Sequence, residues 1–468
     1  MSSPPWDRMY RRNTKYLQCA GLIPIMVAMV FSAINVQAQQ TEPLTLPNAV
    51  AIAMGKNPAR SMAVDDTRVA EASVTKASAA FYPRIGFTEN ATIGNDPVYV
   101  FGTRLRQGRF SAANFALNEL NSPSAMGNFM SRVEGKWNLF DSFASTAQMR
   151  QAKLTRTASQ QELTRADQEL VYNVLDRYYA WLLAQKQAEL AQQTVKTAAE
   201  LAGSSAARVE AGTAVDSDLL SSKVNLEMRQ QDLIQALSRV EIARTQLETA
   251  LGAELASGQQ PAEMLQEHIY PSVVLEEAEA RALRQRSDLQ ALAAQMAAQR
   301  NGVRAAKAAF GPHLDVYGSY EADNPSFTSG GNTNWMTGVE LRVNLFSREN
   351  NAALASAKAQ MSRTQAAKQS AQNEVRLQVR RAFYEYDAAR QMLDVARSSI
   401  AQSQESLRIT SDRYESGLTT ITGLLRAEDA EHTSRTNYWQ SVYHYVLSYA
   451  ALQLATGDLS PQSLVVTQ

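Results

Sequence analysis

The chain contains two copies of one unit, and this duplication restricts its fold more than any single motif does. The segment from Val74 to Pro83 matches Val303 to Pro312 at an offset of 229, and Asn138-Leu139-Phe140 matches Asn344-Leu345-Phe346 at an offset of 206. From Glu169 to Gly252 the offset settles at 205, so that Tyr179 meets Tyr384, Leu219-Leu220 meets Leu424-Leu425, and Gly252 meets Gly457. Shared Ala- and Gln-rich composition does not produce matched Pro, Gly and Asn-Leu-Phe landmarks in the same order. The 468 residues therefore read as two elongated copies rather than several unrelated domains.

Proline placement shows what each copy holds. None occurs between Pro123 and Pro261, or between Pro325 and Pro461. Such spans, rich in Ala, Gln, Glu, Leu, Arg and Lys, suit long helices. The 70 residues from Asp141 to Glu210 predict a helix roughly 100 Å long. Gly203 is its one interior glycine, Gly212 stops it, and Asp216 or Ser217 can cap a returning helix that ends at Gly252. The second copy repeats this hairpin from Ser347 through Glu415 and back to Gly457.

Between the helices the period changes to two. Val133, Gly135, Trp137 and Leu139 alternate with Arg132, Glu134, Lys136 and Asn138, while Val339, Leu341, Val343 and Leu345 alternate with Glu340, Arg342 and Asn344. Shorter strands follow Pro83 (Ile85, Phe87) and Pro312 (Leu314, Val316), with polar connections at 114–124 and 323–334. Each unit reads helix, strand, loop, strand, long helix, turn, helix.

The first forty residues place the chain in the cell. Arg8, Arg11, Arg12 and Lys15 precede an apolar run from Leu17 to Phe31, and Val36-Gln37-Ala38 precedes Gln39, the layout of a signal peptide cut between Ala38 and Gln39. Removing residues 1–38 takes four basic residues and Asp7 from 46 of each sign, leaving a net charge of −3. It also removes Cys19, the single cysteine, which suits an oxidising compartment. This balance lacks the basic footprint of a nucleic-acid binder.

In an exported chain a two-faced strand can meet lipid on one side and water on the other. The strand lengths suit a bilayer crossing, and Phe81, Tyr99, Phe101, Phe140, Tyr317, Trp335 and Phe346 near the strand ends suggest an interfacial girdle. Four strands cannot close a barrel, whereas three chains supply about twelve, so closure predicts a homotrimer.

The twice-occurring Ala-Ala-Phe-x-Pro turn (Ala79 to Pro83, Ala308 to Pro312), the twice-occurring Asn-Leu-Phe, and the tip pattern Arg-x-x-x-Gly (Arg208/Gly212, Arg413/Gly417) resemble the TolC-type outer-membrane efflux proteins from Leu44 to Gly457. The resemblance implies a mainly α chain with membrane β-strands. Its long coiled-coil hairpins would form a trimeric α-barrel, and its four strands would complete a trimeric 12-stranded outer-membrane β-barrel. It implies a path from an inner-membrane pump (RND, ABC or MFS type) through a periplasmic membrane-fusion adaptor to the cell exterior. Adaptor contact is carried over to Arg208, Gly212, Arg413, Tyr414 and Gly417. The family often has an acid six positions after the tip glycine. Asp218 fits, while the second copy has Gly423 there and Arg426 three residues on. The aperture candidates are thus Asp216, Asp218 and Arg426.

The organisation expected is a signal peptide at 1–38, a first repeat at 39–252, an equatorial linker at 253–272, a second repeat at 273–457 and a tail at 458–468. Outer-membrane lipid, an adaptor and a pump are the expected partners. A periplasmic coiled-coil scaffold without a channel is the alternative. No catalytic constellation, cofactor or metal site is expected: His268, His313, His432 and His444 have no ligand spacing, and Asp65-Asp66 and Glu276-Glu277 point to different helix faces. The charge-free stretch 436–457 mimics a membrane helix, but its mate at 231–252 carries Arg239, Glu241, Arg244 and Glu248, so a packed helix is expected.

Overall fold

A computed structural model describes residues 42–463 and 465; the signal-peptide reading, with its cut at Ala38 and Gln39, lies outside the described residues. The elements run α1 (Leu46–Lys56), α2 (Pro58–Ser78), β1 (Arg84–Gly94), α3 (Pro97–Arg106), α4 (Leu117–Asn121), β2 (Met126–Phe140), α5 (Ala144–Glu210), α6 (Asp216–Leu251), α7 (Leu275–Gln285), α8 (Ser287–Ala308), β3 (His313–Asn324), β4 (Asn332–Arg342), α9 (Arg348–Glu415) and α10 (Ile421–Thr456). Helices α5 and α9 have 67 and 68 residues, which at a rise of about 1.5 Å makes each roughly 100 Å long. Each is folded into an antiparallel pair, α5 with α6 and α9 with α10, and α10 also lies along α5.

The repeat offsets reappear as equivalent contacts. Gly252 ends α6 at φ +69° and Gly457 ends α10 at φ +84°. Both seat against the break between the two leading helices of a repeat. A Cβ on Gly252 would lie 2.8 Å from the Lys56 carbonyl oxygen, and one on Gly457 would lie 3.3 Å from the Arg286 Cα. Asn57 donates from Nδ2 to the Ala250 carbonyl (2.8 Å), and Arg286 donates from Nη1 to the Ala455 carbonyl (3.2 Å). Residues 57 and 286 differ by 229, and 250 and 455 by 205, the two sequence offsets.

The main core is a belt at this level, where α1, α5, α6, α7, α9 and α10 meet. Trp181, Tyr178, Leu175, Leu247 and Val50 are buried in it. Helix α10 supplies Val442, Val446, Ala450 and Leu452, so the charge-free stretch packs against protein. The linker between α6 and α7 wraps the belt through a parallel bridge between Leu44 and Pro261. Its Tyr270 stacks on Tyr449 at 4.1 Å, and burial drives the Tyr270 hydroxyl far above the usual phenol range. On the same linker Glu267 accepts bonds from Arg397 (2.6 Å) and Tyr438 (2.8 Å). Burial alone would raise this carboxyl, but those two bonds hold it below the ordinary value.

The strands form one antiparallel sheet in the order β1-β2-β3-β4, with β2 and β3 joining the two repeats. The register sorts the side chains by face. Phe87, Val133, Tyr320 and Trp335 line up across all four strands, and the neighbouring row is Thr88, Arg132, Glu321 and Asn334. Ile85, Phe87, Val339 and Leu341 are exposed on the apolar face. The opposite face carries the ion pairs Arg132–Glu321 (2.5 Å) and Lys136–Asp315 (3.0 Å). Neither β1 nor β4 has a partner on its outer edge among the described residues.

Three local expectations change. Strand β4 starts at Asn332 and stops at Arg342, short of Val343, Asn344 and Leu345, because Asn344 turns inward to donate to the Ala309 carbonyl (3.3 Å). The aromatic girdle is not one band: Tyr317 pairs with Lys136 on the polar face, and Tyr99 and Phe101 sit on α3. The connection between β1 and β2 contains two helices, α3 and α4. The N-cap Asp96 and the following Pro97 are a helix-start signal for α3.

Two glycines make opposite predictions. Gly252→Ala places a methyl group against the Lys56 carbonyl in a left-handed backbone, and is expected to cost about 2–4 kcal/mol. Gly203→Ala, inside α5 with nothing within 4 Å, is expected to stabilise by up to about 1 kcal/mol. Thermal unfolding of the two variants in detergent should move Tm in opposite directions.

Candidate functional site

The two hairpins end in matched tips. Gly212 (φ +70°) and Gly417 (φ +72°) take the left-handed conformation that ends each long helix. The Thr213 amide donates to the Arg208 carbonyl (2.8 Å), and the Leu418 amide to the Arg413 carbonyl (2.7 Å), so both tips close by the same reverse bond. Arg208 and Arg413 are thus fixed at equivalent points, but their side chains differ in surroundings. Arg413 is exposed, whereas Arg208 is half-buried with its guanidinium 5.0 Å from the Tyr414 ring centre. Tyr414 is buried with Ile421 and Leu424 in a small apolar cluster that Leu201, Leu407 and Leu425 complete. This cluster ties the α5 tip to the α9–α10 tip, and the cation over the ring contributes about 0.5–2 kcal/mol.

The aperture candidates stand close to the same tips. The N-cap residue of α6 is Val215, not Asp216 or Ser217, and no side chain caps the helix. Asp216 and Asp218 fall in the first turn, where their charge complements the helix dipole. Asp216 is exposed and Asp218 half-buried. In the second tip Thr420 caps α10 by accepting from the Gly423 amide, and Arg426 is exposed. The fold therefore brings Arg208 and Tyr414 into contact and leaves Gly212, Arg413, Asp216, Gly417 and Arg426 exposed around them.

Above the tips, α5, α6 and α10 enclose a charged cluster that the sequence reading passed over. Arg229 of α6 pairs with Asp429 of α10 and with Asp232 (3.3 Å), and Arg435 pairs with Glu431. His432 shares a hydrogen bond with Thr194 of α5 (3.2 Å). Burial and the neighbouring Arg229 push the His432 imidazole below its ordinary 6.5, against the opposing pull of Asp232 and Glu431. Burial raises the Glu428 carboxyl above 4.5. The i, i+3 and i, i+4 spacing of 428, 431, 432 and 435 is the signal that places these side chains on one helix face.

Long hairpins, a two-faced sheet with open edges and paired tips define a membrane-anchored channel protein. A family model described as outer membrane efflux protein matches residues 51–253 and 280–458. The chain is also 23% identical over 343 residues to the alkaline protease secretion protein AprF of Pseudomonas aeruginosa, covering 72% of this chain and 71% of that one. The fold matches the Campylobacter jejuni CmeC outer membrane channel with a TM-score of 0.75 at 16% identity, over 90% of this chain and 87% of that one. It matches the outer membrane protein VceC of Vibrio cholerae with a TM-score of 0.71 at 16% identity, over 88% and 96% respectively. The chain belongs to the outer membrane efflux protein family. It is an outer-membrane channel component that extends into the periplasm.

The His432 shift has a sign that can be measured. A depressed histidine stabilises the fold fully above pH 6.5, and that contribution is lost as pH falls through the lowered value. Glu428, being raised, acts in the opposite direction, so the histidine must be isolated by substitution. The Tm advantage of wild type over His432→Gln is expected to shrink as pH drops below 6.5; a gap independent of pH would refute this.

Proposed function

We propose that three copies of this chain form a single export conduit, with the sheets closed into a 12-stranded barrel in the outer membrane and the hairpins into a tunnel crossing the periplasm. The sheet carries this reading. It has an exposed apolar face, a face with charge pairs, and two edges without partners among the described residues. Unpaired strand edges are tolerated neither in lipid nor, for long, in water. A second and third copy satisfy every edge, β1 against a neighbour's β4. The helical layer has the same open flanks, since α6 and α9 lie at its two sides and expose Leu220, Val224, Ile234, Tyr384 and Ile409. A scaffold without a channel would leave the apolar sheet face in water.

On this reading the tips meet a periplasmic membrane-fusion adaptor through Arg208, Gly212, Arg413, Tyr414 and Gly417. An inner-membrane pump (RND, ABC or MFS type) supplies the substrate. Asp216, Asp218 and Arg426 line the aperture, and the Arg208–Tyr414 contact helps hold it closed. The chain acts by conducting and catalyses no reaction. The mature protein, starting at Gln39, has two repeats at 39–252 and 273–457, the linker 253–272 between them, and a tail at 458–468.

Membrane fractionation tests the conduit directly: the protein is expected in the outer-membrane fraction, extractable only by detergent, and trimeric. A soluble monomer would overturn it. Tyr414→Ala, which empties the tip cluster, is expected to raise single-channel conductance severalfold in planar bilayers. Tyr414→Phe should change it little, because the ring remains under Arg208. Unchanged conductance in Tyr414→Ala would remove the tip contact from the gate.

A further inference from the structure

Helix α3 interrupts the connection between β1 and β2 and lies across the charged face of the sheet. The Tyr99 hydroxyl donates to the Thr92 carbonyl at 3.0 Å. Gln107 donates to the Gly127 carbonyl (3.0 Å) and to Asn128 Oδ1 (2.9 Å). Asn128 donates to Asp323 (2.6 Å), which is wholly buried. Farther across, Arg106 pairs with Glu321 (3.3 Å) and Asn334 donates to the Arg106 carbonyl (3.2 Å). The helix therefore starts beside β1 and ends beside β4, on the same side as Arg132, Glu321 and Asn334.

Its far side is the anomaly. Val100 and Thr103 of α3, with Gln107 just past its end, form the buried stripe. About 180° around the helix stand Val98, 81% exposed, and Leu105, 51% exposed, with Gly102 between them and nothing within 4 Å of its Cβ position. An apolar stripe is thus turned away from the sheet and into the space that the charged face surrounds.

We propose that this stripe is covered by α3 of the other two copies, so that three α3 helices seal the outer mouth of the barrel. The proposal rests on the trimeric conduit above. Twelve strands about 4.8 Å apart and tilted by about 40° close to a ring roughly 24 Å across. A helix about 10 Å thick lying on that wall reaches almost to the axis. Because each α3 runs from β1 to β4, and β4 adjoins the next copy's β1, the start of one α3 meets the end of its neighbour. Val98 of one copy then approaches Leu105 of the next, and apolar contact replaces exposure to the water of the lumen. The buried Asp323 network and the Arg106–Glu321 pair hold each helix in place, which gives the outer mouth a closure of its own, separate from the periplasmic tips.

Cysteine cross-linking reads this directly, since Cys19 is the sole native cysteine. In outer membranes, Val98→Cys combined with Leu105→Cys is expected to give disulfide-linked dimers and trimers under mild oxidation. The two positions in one copy lie about 10 Å apart along the helix, too far for an internal disulfide. Ile269→Cys, 92% exposed on the linker, should give none and reports random collisions. A Phe87→Cys, Val339→Cys pair placed on β1 and β4 reports the trimer itself. Links at β1–β4 with none at α3, or α3 links no stronger than those at Ile269, would overturn the seal while leaving the trimer. Absence of both sets would overturn the seal and the conduit together. In a Tyr414→Ala background, Leu105→Glu is expected to raise conductance at least twofold further; no increase would also count against the seal.

Discussion

Open backbone at two sheet edges governs this molecule. Strands β1 and β4 each present a row of amide and carbonyl groups with no partner among the described residues, flanked by an apolar face that water does not favour. In lipid each unmet group costs several kcal/mol, so the sheet is stable only once it is closed on itself. Four strands cannot curve into a closed ring, and this is the constraint that the proposed trimer answers. The long helices inherit the same incompleteness, since their flanks α6 and α9 expose apolar side chains at the same level of organisation.

The duplication converts this need into geometry. Equivalent bonds from Asn57 to Ala250 and from Arg286 to Ala455 tie the end of each hairpin to the break between the leading helices of its repeat. In the proposed trimer, two similar units per chain would make six quasi-equivalent positions. The copies diverge at their tips. The first tip supplies Arg208 and two acids, while the second supplies Tyr414 and an exposed Arg413. Gly311 shows the same divergence at a strand start. Its Cβ would collide with Ser142, whose hydroxyl donates to the Pro312 carbonyl (2.8 Å), whereas the first copy carries an exposed Tyr82 at the equivalent position.

Much of this was legible in the residues because it rests on periodicity and on breakers. The long helices follow from proline-free spans, the hairpin tips from Gly212 and Gly417, and the two sheet faces from alternation in β2 and β4. The helix α3 was missed because it is short and sits in a polar connection, although Asp96-Pro97 announces its start. The cap expected at Asp216 or Ser217 fell instead at Val215, since the closing bonds of the preceding tip determine where α6 begins. Spacing aligns residues 428, 431, 432 and 435 on one face of α10, but it carries no sign that Arg229 of α6 and Thr194 of α5 join them.

The sequence by itself determined the repeat, the helix lengths and which strand face is apolar, because each depends on near neighbours in the chain. Only the tertiary structure decided that Tyr414 is buried beneath Arg208, that Asp323 anchors α3 across the sheet, and that Tyr317 joins the charged face rather than an aromatic girdle. These depend on strand register and on how helices far apart in the chain come together, and residue spacing carries no record of either.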